Sequence, residues 1–172
     1  MSSYTRTTRE CHVNQIHHDL YQNIREYFQI HQLGDLDSGT LQCCETFSEK
    51  RDSGGIISFL APLLESERDT TIHFVILMTA DWLIWARRGD QSAPIVTGCQ
   101  LKLIQAKVLI SSHSKEFKLQ ISGFVADSKE YIRGTLALGP EPAAQKFCEA
   151  VVQAVNIAKP PPKSTRPKWL GG

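Results

Sequence analysis

Between Gly39 and Leu138 the apolar residues recur with a period of two, in short runs punctuated by Gly, Pro, Asp and Ser. That pattern commits the middle of the chain to β-sheet. The alternation is clearest where Phe117, Leu119 and Ile121 interleave with Lys118, Gln120 and Ser122, which sets an apolar face against a wet one. Seven strands are predicted: Thr40–Ser48, Ile56–Pro62, Thr71–Thr79, Trp82–Arg88, Ile95–Ile110 with an interruption, Glu116–Val125 and Tyr131–Leu138. The links between them are too short to hold crossover helices, so the sheet is expected to be antiparallel.

The flanks follow a different period. Val13, Ile16, Leu20, Ile24, Tyr27 and Ile30 recur at three- and four-residue steps and predict a helix over residues 8 to 33. Thr7 with Glu10 reads as its capping box and Gly34 as its stop. A second helix is predicted from Pro140 to Ala158, with Ala144, Phe147, Val151, Ala154 and Val155 on one stripe. The expected organisation is an N-terminal helix packed on the domain (1–38), a β-domain with a C-terminal helix (39–158), and a disordered, basic, proline-rich tail (159–172).

The 172 residues carry 19 basic and 18 acidic side chains. A net charge of +1 argues against a dedicated nucleic-acid binder, which needs a surplus of cations for phosphate contacts. No apolar run approaches the roughly 20 residues of a spanning helix. The start, Met1 to Arg6, lacks the apolar core of a secretory signal, so a cytoplasmic protein is expected. Cys11, Cys43, Cys44, Cys99 and Cys148 are odd in number and show no C-x-x-C spacing, which reads as reduced, buried thiols.

Metal, cofactor and catalytic signatures were each tested against spacing. His12, His17, His18 and His31 share the first helix, but no two are three or four residues apart, so no metal site is expected. Asp35 to Gly39 lacks the bidentate acid of a calcium loop and reads as a turn. Gly34 to Gly39 has phosphate-loop spacing, but Thr40 stands where the lysine belongs. No nucleophile elbow or dinucleotide fingerprint occurs, and Cys43 and Cys44 point to opposite faces of a strand. The reading is of a non-enzymatic protein without cofactor.

Charge is distributed unevenly. Residues 34 to 81 hold nine acids against three bases, and residues 82 to 138 hold eight bases against four acids. Arg87, Arg88, Lys102, Lys107, Lys118 and Arg133 are therefore candidates for a partner-binding patch across neighbouring strands. In the tail, Lys168 followed by Trp169 and Leu170 joins charge to an apolar tip and is a second candidate contact. Trp82 and Trp85 alternate faces of one strand, which suggests one core and one exposed tryptophan.

Seven strands in a meander followed by one amphipathic helix resemble the layout of a pleckstrin-homology (PH-like) domain. The likeness covers about Gly39 to Ala158 and includes the pair Thr71–Thr79 and Trp82–Arg88 joined through Ala80-Asp81. It implies a seven-stranded antiparallel barrel or sandwich with a C-terminal capping helix, to which this α+β chain adds an N-terminal helix. Lipid-binding members of that family clamp phosphoinositides with basic residues in and after the loop between the first two strands. Here Glu49 and Asp52 flank Lys50 and Arg51, and the following strand has no cation, so phosphoinositide binding is not expected. The alternative architecture is a helix-grip fold around a small apolar ligand. Function is expected to be that of an adaptor or assembly factor that binds another protein. A further alternative is peripheral contact with an anionic membrane through the tail.

Overall fold

A computed structural model describes residues 4–51, 69–125 and 131–159. The chain runs through β1 (Tyr4–Glu10), a 3-10 turn (Val13–Gln15), α1 (His18–Ile30), α2 (Leu36–Gly39), β2 (Gln42–Lys50) and β3 (Thr71–Met78). It continues through β4 (Trp82–Gly89), β5 (Ile95–Gln100), a 3-10 turn (Leu101–Leu103), β6 (Ile104–Ile110), β7 (Phe117–Phe124), β8 (Tyr131–Ala137) and α3 (Pro142–Ala158). The class is α+β, with one five-stranded sheet ordered β1-β2-β3-β4-β5 and one three-stranded sheet ordered β6-β7-β8. Every described ladder is antiparallel. No ladder among the described residues closes the two sheets on each other. The interruption expected within Ile95–Ile110 is the turn at Leu101–Leu103, where the chain leaves one sheet for the other. The strand expected at Ile56–Pro62 lies outside the described residues.

The N-terminal region departs from expectation. The helix predicted over 8 to 33 occupies only His18–Ile30, and residues 4 to 10 form an edge strand. Thr7 and Glu10 do not cap a helix; they pair with Phe47 and Cys44 of β2. Residues 1 to 38 thus contribute a strand to the five-stranded sheet as well as a helix. The helical stop also falls earlier than Gly34. Gln32 takes the left-handed conformation (φ 52°), with Leu33 N donating to Phe28 O at 2.9 Å and Gln32 N to Gln29 O at 3.3 Å. This 6→1 and 5→2 pair closes the last turn of α1.

The five-stranded sheet is covered on both sides. On one face, Leu20, Ile24 and Phe28 of α1 pack against Cys43, Val75, Leu77, Ile84 and Ala86. On the other, Cys44, Ile76, Met78, Leu83 and Cys99 meet Leu119 and Ile121 of the second sheet and Ala144, Phe147, Cys148, Val151 and Val155 of α3. Two-sided burial is why β3 reads as an unbroken apolar run, since no position along Val75–Met78 faces water. The adjacent thiols Cys43 and Cys44 fall into different clusters, as alternation requires.

Polar contacts tie β1 to the start of α3. The Thr8 and Thr46 hydroxyls lie 2.8 Å apart, Gly139 N donates to Thr8 Oγ1 at 2.7 Å, and Thr8 N donates to the Glu141 carboxylate at 2.8 Å. Arg6 pairs with the buried Glu116 at 3.2 Å. Each of these buried groups is thereby matched, which an edge strand with Thr8 facing inward demands.

Candidate binding face

The ladder register assigns side chains to the two faces of the β6-β7-β8 sheet. Residues directly opposite one another share a face, and residues two apart along a strand share it too. Leu119 and Ile121 point inward with the α3 cluster. The outer face therefore carries Gln105, Lys107 and Leu109 of β6, Lys118, Gln120, Ser122 and Phe124 of β7, and Tyr131, Arg133, Thr135 and Ala137 of β8. Lys107, Arg133 and Thr135 are exposed, and Lys118, Gln120 and Ser122 are half-buried.

Among the described residues, three cations occupy this face without a facing acid. Lys107 stands opposite Gln120, so Lys118 is its diagonal neighbour at about 7–8 Å, while Arg133 stands opposite Ser122. Strand neighbours lie about 4.8 Å apart, so the three charges fall within the footprint of one extended peptide strand. Glu116, the acid nearest Lys118 in sequence, is buried and turned to Arg6. At one end of the face Phe124 and Tyr131 form an exposed edge-to-face pair, with ring centroids 5.4 Å apart. Tyr and Arg are the side chains that most often anchor interfaces, because they bury large area at low entropic cost.

The other sequence candidates do not join this patch. Arg87 pairs with the fully buried Asp69 at 3.2 Å, and that carboxylate also accepts from Ser92 Oγ at 2.7 Å and Gln91 N at 2.9 Å. Arg88 pairs with Asp19 of α1. Both arginines belong to the five-stranded sheet and hold its loops and helix in place. Lys102 lies on the turn between the sheets, lining a surface cleft of about 610 Å³ with Asp81, Trp82 and Ile157. The six basic strand residues thus do not form one patch, and only Lys107, Lys118 and Arg133 share a face. Lys168, Trp169 and Leu170 lie outside the described residues. Trp82 and Trp85 are both half-buried, packed on opposite clusters, so neither is the exposed anchor that alternation suggested.

Sequence reasoning missed Phe124 and Tyr131. Their signal was available in the alternation, since Phe124 continues the parity of Lys118, Gln120 and Ser122, but pairing across to Tyr131 requires the register. Compared with known proteins, the chain matches no family model, and no curated protein matches it.

Proposed function

We propose that this chain is a non-enzymatic adaptor or assembly module of PH-like layout that takes an acidic segment of a partner protein on the outer face of β6-β7-β8. The observation that carries the reading is the set Lys107, Lys118 and Arg133, unopposed among the described residues, beside the exposed Phe124–Tyr131 pair. A solvated sheet face ordinarily mixes both signs of charge, and a one-signed face with aromatic anchors selects an oppositely charged ligand. The two antiparallel sheets with a C-terminal helix between them support the PH-like layout. Against a ligand-filled helix-grip cavity stands the packing between the sheets, where Ile104, Leu119, Ile121, Phe147 and Val151 are nearly or wholly inaccessible. Phosphoinositide binding draws no support from the loop after β2, where Arg51 donates to Thr5 at 2.9 Å. A cytoplasmic setting goes with the reduced thiols; among the described residues no helix is long and apolar enough to cross a membrane.

The test is titration of the full chain with fluorescent Asp/Glu-rich peptides, half of them carrying a Leu or Phe. Binding that weakens steeply with salt and falls at least tenfold in the Lys107→Glu/Lys118→Glu/Arg133→Glu variant supports the reading. Equal affinity of that variant, or preference for single-stranded RNA or anionic vesicles over every peptide, overturns it.

A further inference from the structure

Two of the five cysteines stand apart from the others. Cys11 lies one rung beyond the last β1–β2 pair, Glu10↔Cys44, which places it opposite Cys43. Its backbone N donates to Cys43 O at 3.2 Å, and the two Sγ atoms are 3.1 Å apart. Directly opposed residues on antiparallel strands have Cα atoms about 4.5–5.5 Å apart, inside the range a disulfide spans. Cys44, Cys99 and Cys148 point into the cluster on the opposite side of the sheet and are enclosed by α3 and the second sheet.

Both residues are buried, at 7% and 4% exposure, but they border solvent. Cys11 and Cys43 line an open surface cleft of about 930 Å³, with polar walls supplied by Glu10, His12, Asn14 and Gln42. The chain between the two thiols contains α1 and α2, so both stand at the neck of the excursion that covers one face of the five-stranded sheet.

We infer that Cys11 and Cys43 are a thiol modification site for low-molecular-weight disulfides such as oxidised glutathione, which convert the pair into a reversible clasp at the neck of the α1 excursion. The Cys11 thiolate attacks one sulfur of the oxidised glutathione and expels a glutathione thiolate. Cys43 then loses its proton and attacks the Cys11 sulfur of the mixed disulfide, releasing the second glutathione. Two protein thiols are oxidised to one disulfide and one glutathione disulfide is reduced to two thiols, so electrons and protons balance. Either sulfur can donate the hydrogen bond between them; with Cys43 as donor it holds the Cys11 thiolate and lowers its pKa, while that bond and burial push Cys43 up, which sets Cys11 as the first to attack.

The experiment is incubation of the full chain with oxidised glutathione, followed by alkylation in denaturant and mass spectrometry of the digest. Wild type is expected to lose two alkylatable thiols and yield one Cys11–Cys43 linked peptide. Its urea midpoint rises on oxidation and returns with dithiothreitol. The Cys43→Ser variant is expected to accumulate glutathione on Cys11, while Cys11→Ser reacts at least tenfold more slowly at Cys43. The Cys44→Ala variant retains the link. Five free thiols in the treated wild type, or a linkage that involves Cys44, Cys99 or Cys148, overturns the assignment.

Discussion

The two sheets are built from the same kind of segment yet meet water differently. The five-stranded sheet has α1 on one face and α3 with the second sheet on the other, so Val75–Met78 at its centre has no wet side. Among the described residues the three-stranded sheet has cover on one face only, and on its outer face Lys107 and Arg133 are exposed and Lys118 half-buried. The contrast separates structural charge from spare charge. On the covered sheet Arg9, Arg87 and Arg88 each hold a carboxylate, from Glu45, Asp69 and Asp19 respectively. On the open sheet Lys107, Lys118 and Arg133 pair with no described acid, which is what the proposed partner contact rests on.

The largest test of this contrast is truncation of the covered sheet. Leu77→Ala removes a fully buried side chain beneath α1 and is expected to cost about 3 kcal/mol, read from urea unfolding. A loss below about 1 kcal/mol would mean that α1 does not seal this face. Next comes Asp69→Ala, which strips Arg87, Ser92 and the Gln91 amide of a buried acceptor. Because Arg87 is 34% exposed and regains water, the expected cost is about 2 kcal/mol rather than that of a fully buried broken pair. Thr8→Val keeps the shape of the edge strand but leaves Gly139 N and Thr46 without their hydroxyl partner, at about 1–2 kcal/mol. On the open sheet, Lys107→Ala and Lys118→Ala are expected to change stability by less than about 0.5 kcal/mol. A larger loss from either would show that these side chains hold the fold together.

What could be read from the sequence follows the same division. The strands from Gln42 onward are close to their predicted bounds because a covered face leaves a continuous or alternating apolar record, as in Val75–Met78 and Phe117–Ile121. β1 left none. Its inward residue is Thr8, matched to Thr46 by a hydrogen bond rather than by apolar area, so Tyr4–Glu10 shows no hydrophobic alternation while Thr7 and Glu10 mimic a helix cap. The helical stripe was legible as far as Leu20 and Ile24, but its last contact is Phe28, and Ile30 is 75% exposed. At the candidate face, Lys107, Lys118 and Arg133 were visible as charge, but only the ladder register separates them from Arg87, Arg88 and Lys102. Arg87 and Arg88 were misread because their partners come from Asp69 and Asp19, which only the tertiary fold brings near.

The smallest expected effect lies in pH. His73 sits on the α1-covered face of β3, with its ring against Phe47 at 4.9 Å and His17 at 5.7 Å, and its Nδ1 is buried without a hydrogen-bond partner. Burial lowers its pKa below the ordinary imidazole value, with the charges of His17, Arg88 and Arg9 adding to the shift and Glu45 opposing it. The unfolded chain therefore binds a proton that the folded chain resists. Stability is then flat well above about pH 6.5, falls as pH drops through the unfolded imidazole value, and levels off below the folded one. His73→Phe keeps the ring contact with Phe47 and removes the proton, so its urea midpoint is expected to fall less than that of wild type between pH 7.5 and 5.5. Parallel midpoints for the two chains would show that the covered face admits an imidazolium at no cost. In that case the distinction between a sheet that admits only paired charge and a sheet open to unpaired charge would fail at His73.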